Sequence, residues 1–88
     1  LAWQIEFLES ANRALIKLDK KIQFRILNFL RERIKENPRC IGKPLVGRYA
    51  VCWRYRVGDY RIITKHENNQ LIILVIEIWH RREIYKMM

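Results

Sequence analysis

Residues 49–66 read YAVCWRYRVGDYRIITKH, and this stretch decides the fold. Tyr49, Val51, Trp53, Tyr55 and Val57 alternate with Ala50, Cys52, Arg54 and Arg56, the two-residue period of a half-buried strand. Gly58-Asp59 is a two-residue turn signal, and Tyr60 to His66 is the returning strand, so the segment predicts a β-hairpin. Towards the C-terminus, Glu67-Asn68-Asn69-Gln70 makes the next turn. Leu71 to Trp79 then runs apolar on both faces until Glu77, as an interior strand does. Short hairpin turns make all three strands antiparallel. Arg81 to Lys86 is expected as a short helical turn or an extended tail.

Upstream of the hairpin, Arg39 to Arg48 carries Gly42, Pro44 and Gly47 and reads as a loop. Before it, Ile22, Ile26, Phe29, Leu30 and Ile34 make the apolar stripe of a helix, with Lys20, Arg31, Glu32 and Lys35 outside. Asp19 stands where an N-cap belongs, and Asn37-Pro38 stops the helix because the residue before a proline resists the helical conformation. From about Ser10, Ala11, Ala14, Leu15 and Leu18 share one face of an earlier helix. Ala2 to Phe7 alternates Trp3, Ile5 and Phe7 against Ala2, Gln4 and Glu6 as a strand. The expectation is one α+β domain over residues 1–88. An N-terminal strand, a two-helix hairpin and a three-stranded antiparallel meander form one sheet, with the helices on one face and a short C-terminal tail or helix. Function is sought on the other face.

Charge narrows the function. Lys and Arg number 18 against 9 Asp and Glu, a formal net charge of +9 on 88 residues. A domain this basic repels itself, and a polyanionic partner explains the excess: nucleic acid first, an acidic protein second. The longest apolar run, Leu71 to Ile76, is too short to span a bilayer, so no membrane partner is expected. There is no signal-peptide pattern. Cys40 and Cys52 lack the spacing of a disulfide scaffold or a zinc site and read as reduced thiols, which fits a cytoplasmic protein. Asp59, Glu77 and Glu83 are isolated, so no metal site and no cofactor is expected. Ser10 has no obvious His or Asp partner, and no phosphate-cradling glycine loop is present.

Arg54 and Arg56 project from one side of their strand, Arg61 begins the next, and Arg81 leaves the end of the last, with His80, Arg82 and Tyr85 beside it. A single arginine alternating with apolar residues is only a solvated sheet face. Several guanidiniums converging from separate strands suit a phosphate, since each offers planar bidentate donors. A nearby tyrosine can stack on a base of single-stranded RNA. Tyr49, Tyr55 and Tyr60 read as core, and Tyr85 is the tyrosine expected in the site. His80 is a candidate general acid or base, although a lone histidine is more often a packing residue. Lys43, Arg48, Lys65 and Arg82 complete the RNA-binding candidates.

The same residues carry a resemblance. Leu45-Val-Gly-Arg-Tyr-Ala50, Trp53-Arg-Tyr-Arg-Val-Gly-Asp-Tyr-Arg-Ile-Ile63 and His80-Arg-Arg-Glu-Ile-Tyr85 resemble the RelE/ParE toxin superfamily, and Ala11-Asn-Arg-Ala-Leu-Ile-Lys-Leu18 fits its first helix. The likeness implies the fold derived above and a cytoplasmic toxin of a type II toxin–antitoxin system, silenced by an acidic RelB-like antitoxin. In the RelE branch, it implies a ribosome-dependent endoribonuclease that cuts mRNA by 2′-hydroxyl attack without a metal. In the ParE branch, it implies a non-catalytic inhibitor of DNA gyrase. An inactive antitoxin-binding module stays open as well. Carried over by position, the catalytic basic pair falls on Arg54 and Arg56, the phosphate-stabilising arginine on Arg61, the late arginine on Arg81 and the C-terminal tyrosine on Tyr85. The pair is lysine in the best-known RelE toxin, and a guanidinium is a poor general base. Trp79 also stands where the family often has a small residue. Proton transfer therefore stays open among His80, Arg81 and ribosomal RNA.

Overall fold

The computed structural model describes residues 2–47 and 50–84, with the backbone alone for Glu83 and Ile84. Its elements are β1 (Gln4–Phe7), α1 (Glu9–Ile16), α2 (Lys20–Phe29) running on into a π-helical turn (Leu30–Ile34), β2 (Lys43–Pro44), β3 (Cys52–Val57), β4 (Tyr60–Glu67), β5 (Ile72–His80) and α3 (Arg81–Ile84). The strands form one five-stranded sheet in the order β1-β5-β4-β3-β2. β1 lies parallel to β5, and every other pairing is antiparallel. This is the expected α+β architecture.

Local chemistry accounts for the helices. Asp19 caps α2 by accepting the Lys21 backbone N–H at 3.2 Å. Ile22, Ile26, Leu30 and Ile34 recur every four residues, so on an ideal helix of 3.6 residues per turn each step drifts by ~40°. The wider π turn at Leu30–Ile34 takes up that drift, and Ile26, Leu30 and Ile34 are all buried. They pack with Ala11 and Leu15 of α1 against Tyr55, Val57, Ile62, Ile73, Val75 and Ile78 of the sheet. Burying side chains of this size stabilises by about 1.5–3 kcal/mol each, which is what holds the hairpin on the sheet.

Gly58, at φ 59°, opens a two-residue turn that joins Val57 to Tyr60. A positive φ at the first turn position matches the twist of the flanking strands. Farther along, the β4–β5 register shifts between Ile63 and Thr64: Ile63 faces Glu77, but Thr64 faces Val75. Ile76 is the extra residue of a β-bulge. Its effect is that Val75 and Ile78 both face the helices, while Ile76 and Trp79 join Cys52, Ile63 and Leu45 on the opposite face.

Three sequence expectations need correction. The strand expected from Tyr49 begins at Cys52, because its last partner is Lys65 and nothing covers Val51, which is 77% exposed. Tyr49 lies outside the described residues. The loop at 39–48 contains β2, whose Lys43 and Pro44 pair with Arg54 and Trp53; proline is tolerated there because the strand is a sheet edge. Leu71 adopts φ 54° in the turn, so the last strand begins at Ile72.

Candidate nucleic-acid interface

Cross-strand register assembles the basic face. Arg56 lies directly opposite Arg61, which in turn faces Trp79. In the next row Lys43 faces Arg54, Arg54 faces Ile63, and Ile63 faces Glu77. Two successive cross-strand pairs, Lys43–Arg54 and Arg56–Arg61, are thus like-charged. Directly opposed residues place their Cβ atoms about 4.5–5.5 Å apart, where like charges destabilise the sheet. The arrangement costs stability and creates a concentrated field for an anion.

These residues line a cleft of about 440 Å³ together with Phe29, Arg33, Ile41, Gly42 and Tyr55. Five of its nine lining residues are cationic and none is acidic. Arg56 is exposed, Arg54 and Arg61 are half-buried, and all three line the cleft. A ligand offering several phosphates would satisfy more than one guanidinium at once.

Other candidates fall differently. Arg81 begins α3, and its backbone N–H donates to Asp59 O at 2.6 Å, which ties the end of β5 to the turn two residues before Arg61. His80 packs edge-on against Tyr60, with ring centroids 5.1 Å apart, and its Nδ1 accepts the Arg82 backbone N–H at 3.1 Å. Tyr60 belongs to the helix-side core, so His80 lies on the face away from Arg54, Arg56 and Arg61. Arg82 is exposed. Lys65 is on the open face beside Cys52 and Leu74, and reaches Glu67 at 4.0 Å. Arg48 and Tyr85 lie outside the described residues.

Several features escaped the sequence reading. Phe29 at the end of α2 and Arg33 in the π turn line the cleft, and their spacing of four residues was the available signal. Trp79 is buried on the open face and its Nε1 donates to Glu77 Oε2. That carboxylate is therefore engaged by the indole within the row that contains Arg54. Among the described residues, no three His, Cys, Asp or Glu side chains converge, and no helix is long and apolar enough to cross a membrane.

His66 is a structural node. Its Nε2 lies 3.0 Å from Thr64 Oγ1 and 3.2 Å from Tyr55 Oη, and its ring packs against Trp3, Trp53 and Tyr55. The Tyr55 hydroxyl donates a hydrogen bond to Pro38 O, and burial pushes its pKa up, so it stays neutral. Burial first, and the nearby Arg39 cation second, lower the His66 pKa to about 4. The unfolded chain titrates near 6.5, so between about pH 6.5 and 4 it binds the proton that the folded state refuses. Stability present above pH 6.5 should be lost as pH falls through 4. For this partly exposed ring the contribution is on the order of 1–2 kcal/mol. Urea titrations at pH 7 and pH 4 should show a smaller acid loss in His66→Gln than in wild type. Equal losses would remove His66 from the account. The Cys52 thiol is likewise pushed up by burial, with Lys65 opposing, which keeps it a poor nucleophile.

Comparison with known proteins places this geometry. Toxin RelG of Mycobacterium tuberculosis is 26% identical over 86 residues, covering 98% of this chain and 99% of that protein. The toxin–antitoxin complex RelBE2 of M. tuberculosis contains a chain that superimposes with a TM-score of 0.86 at 25% identity, over 92% of this chain and 100% of that one. A free variant of Escherichia coli toxin RelE shares the fold, with a TM-score of 0.79 at 22% identity over 98% of this chain and 93% of that one. The family model for the ParE toxin of the type II toxin–antitoxin system parDE matches residues 5–85. With nearly its whole length matched, the chain belongs to the ParE toxin family of type II toxin–antitoxin systems, within the RelE/ParE toxin superfamily.

Proposed function

We propose that this toxin is a ribosome-dependent endoribonuclease that cuts mRNA by metal-independent transesterification. The observation that carries the reading is the pair of like-charged cross-strand contacts, Lys43–Arg54 and Arg56–Arg61, in one cleft. A folded domain retains such repulsion where an anionic ligand relieves it. In the reaction, the ribose 2′-oxygen attacks the adjacent phosphorus and loses its proton, and the P–O5′ bond breaks. The 5′-oxygen then takes up a proton, leaving a 2′,3′-cyclic phosphate and a 5′-hydroxyl. Arg61, Arg56 and Arg81 stabilise the charge that builds on the phosphorane oxygens, the largest contribution a site of this kind supplies. Tyr85 stacks a base and so orients the nucleophile. Arg54, Lys43, Lys65, Arg48 and Arg82 hold the backbone. A guanidinium is a poor general base, so removal of the 2′-hydroxyl proton falls to ribosomal RNA, and Arg81 or ribosomal RNA delivers the proton that the 5′-oxygen takes up late in the reaction. His80, with its ring against Tyr60, is left out of the reading.

The M. tuberculosis relative is a toxin–antitoxin complex. This toxin is read as having a RelB-like antitoxin whose binding segment is acidic and associates rapidly with the +9 chain in a salt-sensitive way. A short acidic protein encoded beside this gene is the expected partner, and the cytoplasm is where ribosome and antitoxin meet it. The match to the ParE family model favours a second reading, inhibition of DNA gyrase without catalysis. The two part in one experiment. Purified toxin is added to programmed ribosomes, with cuts mapped by primer extension, and in parallel to gyrase with supercoiled plasmid. Cuts at a fixed codon position with gyrase unaffected are expected. Trapped DNA breaks with intact mRNA would establish the second reading instead.

A further inference from the structure

The cleft does not end at the arginine face. β2 pairs only with Trp53 and Arg54, so beside Tyr55 and Arg56 the β3 edge has no strand partner among the described residues. There the cleft turns round the edge to the end of α2 and the π turn, whose Phe29 and Arg33 form its far wall. The Arg33 guanidinium carbon stands 5.9 Å from the Phe29 ring centroid, and the Phe29 ring meets Tyr55 edge-on at 5.9 Å. Arg33 is exposed while Phe29 is half-buried, so the core fixes the ring and leaves the guanidinium open to a ligand. Sheet and helix together present five cations. One phosphodiester, with one negative charge, cannot engage cations on both sides of a strand edge.

We propose that the Arg33–Phe29 wall is a second nucleotide subsite. It holds a nucleotide next to the scissile phosphate, with the backbone phosphate on Arg33 and the base against the guanidinium–phenyl pair. The inference rests on the ribonuclease reading of the arginine face and extends it. A guanidinium plane beside an aromatic ring is a stacking surface for an unpaired base, which an acidic peptide would not use. Charge alone would be served equally by lysines scattered over α2. The substrate strand would therefore lie across the sheet and bend over the β3 edge rather than follow the strands.

The test is an amide NMR titration of the intact toxin with 2′-O-methyl RNA oligomers of two and four nucleotides, which bind but cannot be cut. The tetranucleotide is expected to bind wild type about tenfold more tightly than the dinucleotide, equivalent to ~1.4 kcal/mol. Arg33→Ala should lose that gain and flatten the salt dependence of tetranucleotide binding by about one unit of slope. Arg61→Ala should weaken both lengths alike. Lys20→Ala, which removes the same charge from the far end of α2, should match wild type. If Arg33→Ala keeps the length gain while Arg61→Ala weakens both, the subsite is wrong and the arginine face stands. If wild type binds neither oligomer at millimolar concentration, both ideas fall. If tetra-aspartate shifts the amides around Arg33 and Gly42 as strongly as the tetranucleotide, the wall is a site for acidic peptide and the inference is overturned.

Discussion

Arg61→Ala should lower the rate of ribosome-dependent mRNA cleavage by about 10²–10³-fold, the usual consequence of removing one preorganised charge donor from a developing oxyanion. Stability should not fall in parallel. Arg61 faces Arg56 directly across the β3–β4 ladder, so truncating it removes a like-charge contact. The melting temperature is expected to stay within a degree or two of wild type or to rise. Arg61→Lys keeps the charge without the planar fork and should recover part of the rate. The checks are initial cleavage rates by primer extension and a thermal melt on the same preparations. A variant that cuts mRNA at the wild-type rate would sink the electrostatic role. A variant that loses both activity and several degrees would make Arg61 a structural residue.

Gly42→Ala carries the largest expected effect on folding. Gly42 has φ +80°, and a Cβ there would stand 2.5 Å from the Arg54 carbonyl oxygen, 2.6 Å from Trp53 Nε1 and 2.8 Å from Tyr55 Cδ1. The first is backbone, and the other two belong to side chains already committed: Trp53 Nε1 donates to Ile41 O at 2.8 Å, and Tyr55 is fully buried. No neighbour can yield cheaply. Strain at a positive φ together with the overlap should cost about 3 kcal/mol. For a domain of this size that is a fall in melting temperature of roughly 12–24 °C. Urea unfolding gives the free energy directly, and a loss below about 1 kcal/mol would show that the 41–43 segment is free to lift off β3. Because Gly42 also floors the cleft, the variant should lose RNA affinity even at temperatures where it is folded.

Much of this was legible in the sequence, for identifiable reasons. The Trp53–His66 hairpin announces itself by a period of two around Gly58-Asp59, and the α2 stripe by apolar residues every three or four positions. What escaped has no periodic signature. A two-residue strand such as β2 is too short to show a pattern, yet it sets Lys43 opposite Arg54. Val51 continues the alternation of β3 but has neither strand partner nor helix above it, so pattern alone overran the strand. The basic face could be proposed because Arg54, Arg56 and Arg61 lie close in sequence. Arg33 offered only its four-residue spacing from Phe29, which cannot say which edge it faces; the tertiary fold alone brings the π turn round to β3.

The extra residue at Ile76 has a consequence for how this scaffold changes its chemistry. Counting by twos from Ile73 and Val75 would send the indole of Trp79 into the core and turn the imidazole of His80 towards Arg61. The bulge inverts that parity, and the indole stands opposite Arg61 instead. β5 thus holds two reading frames for its final residues. A one-residue deletion beyond the bulge, with the rest of the ladder intact, would exchange a ring that cannot accept a proton for one that can.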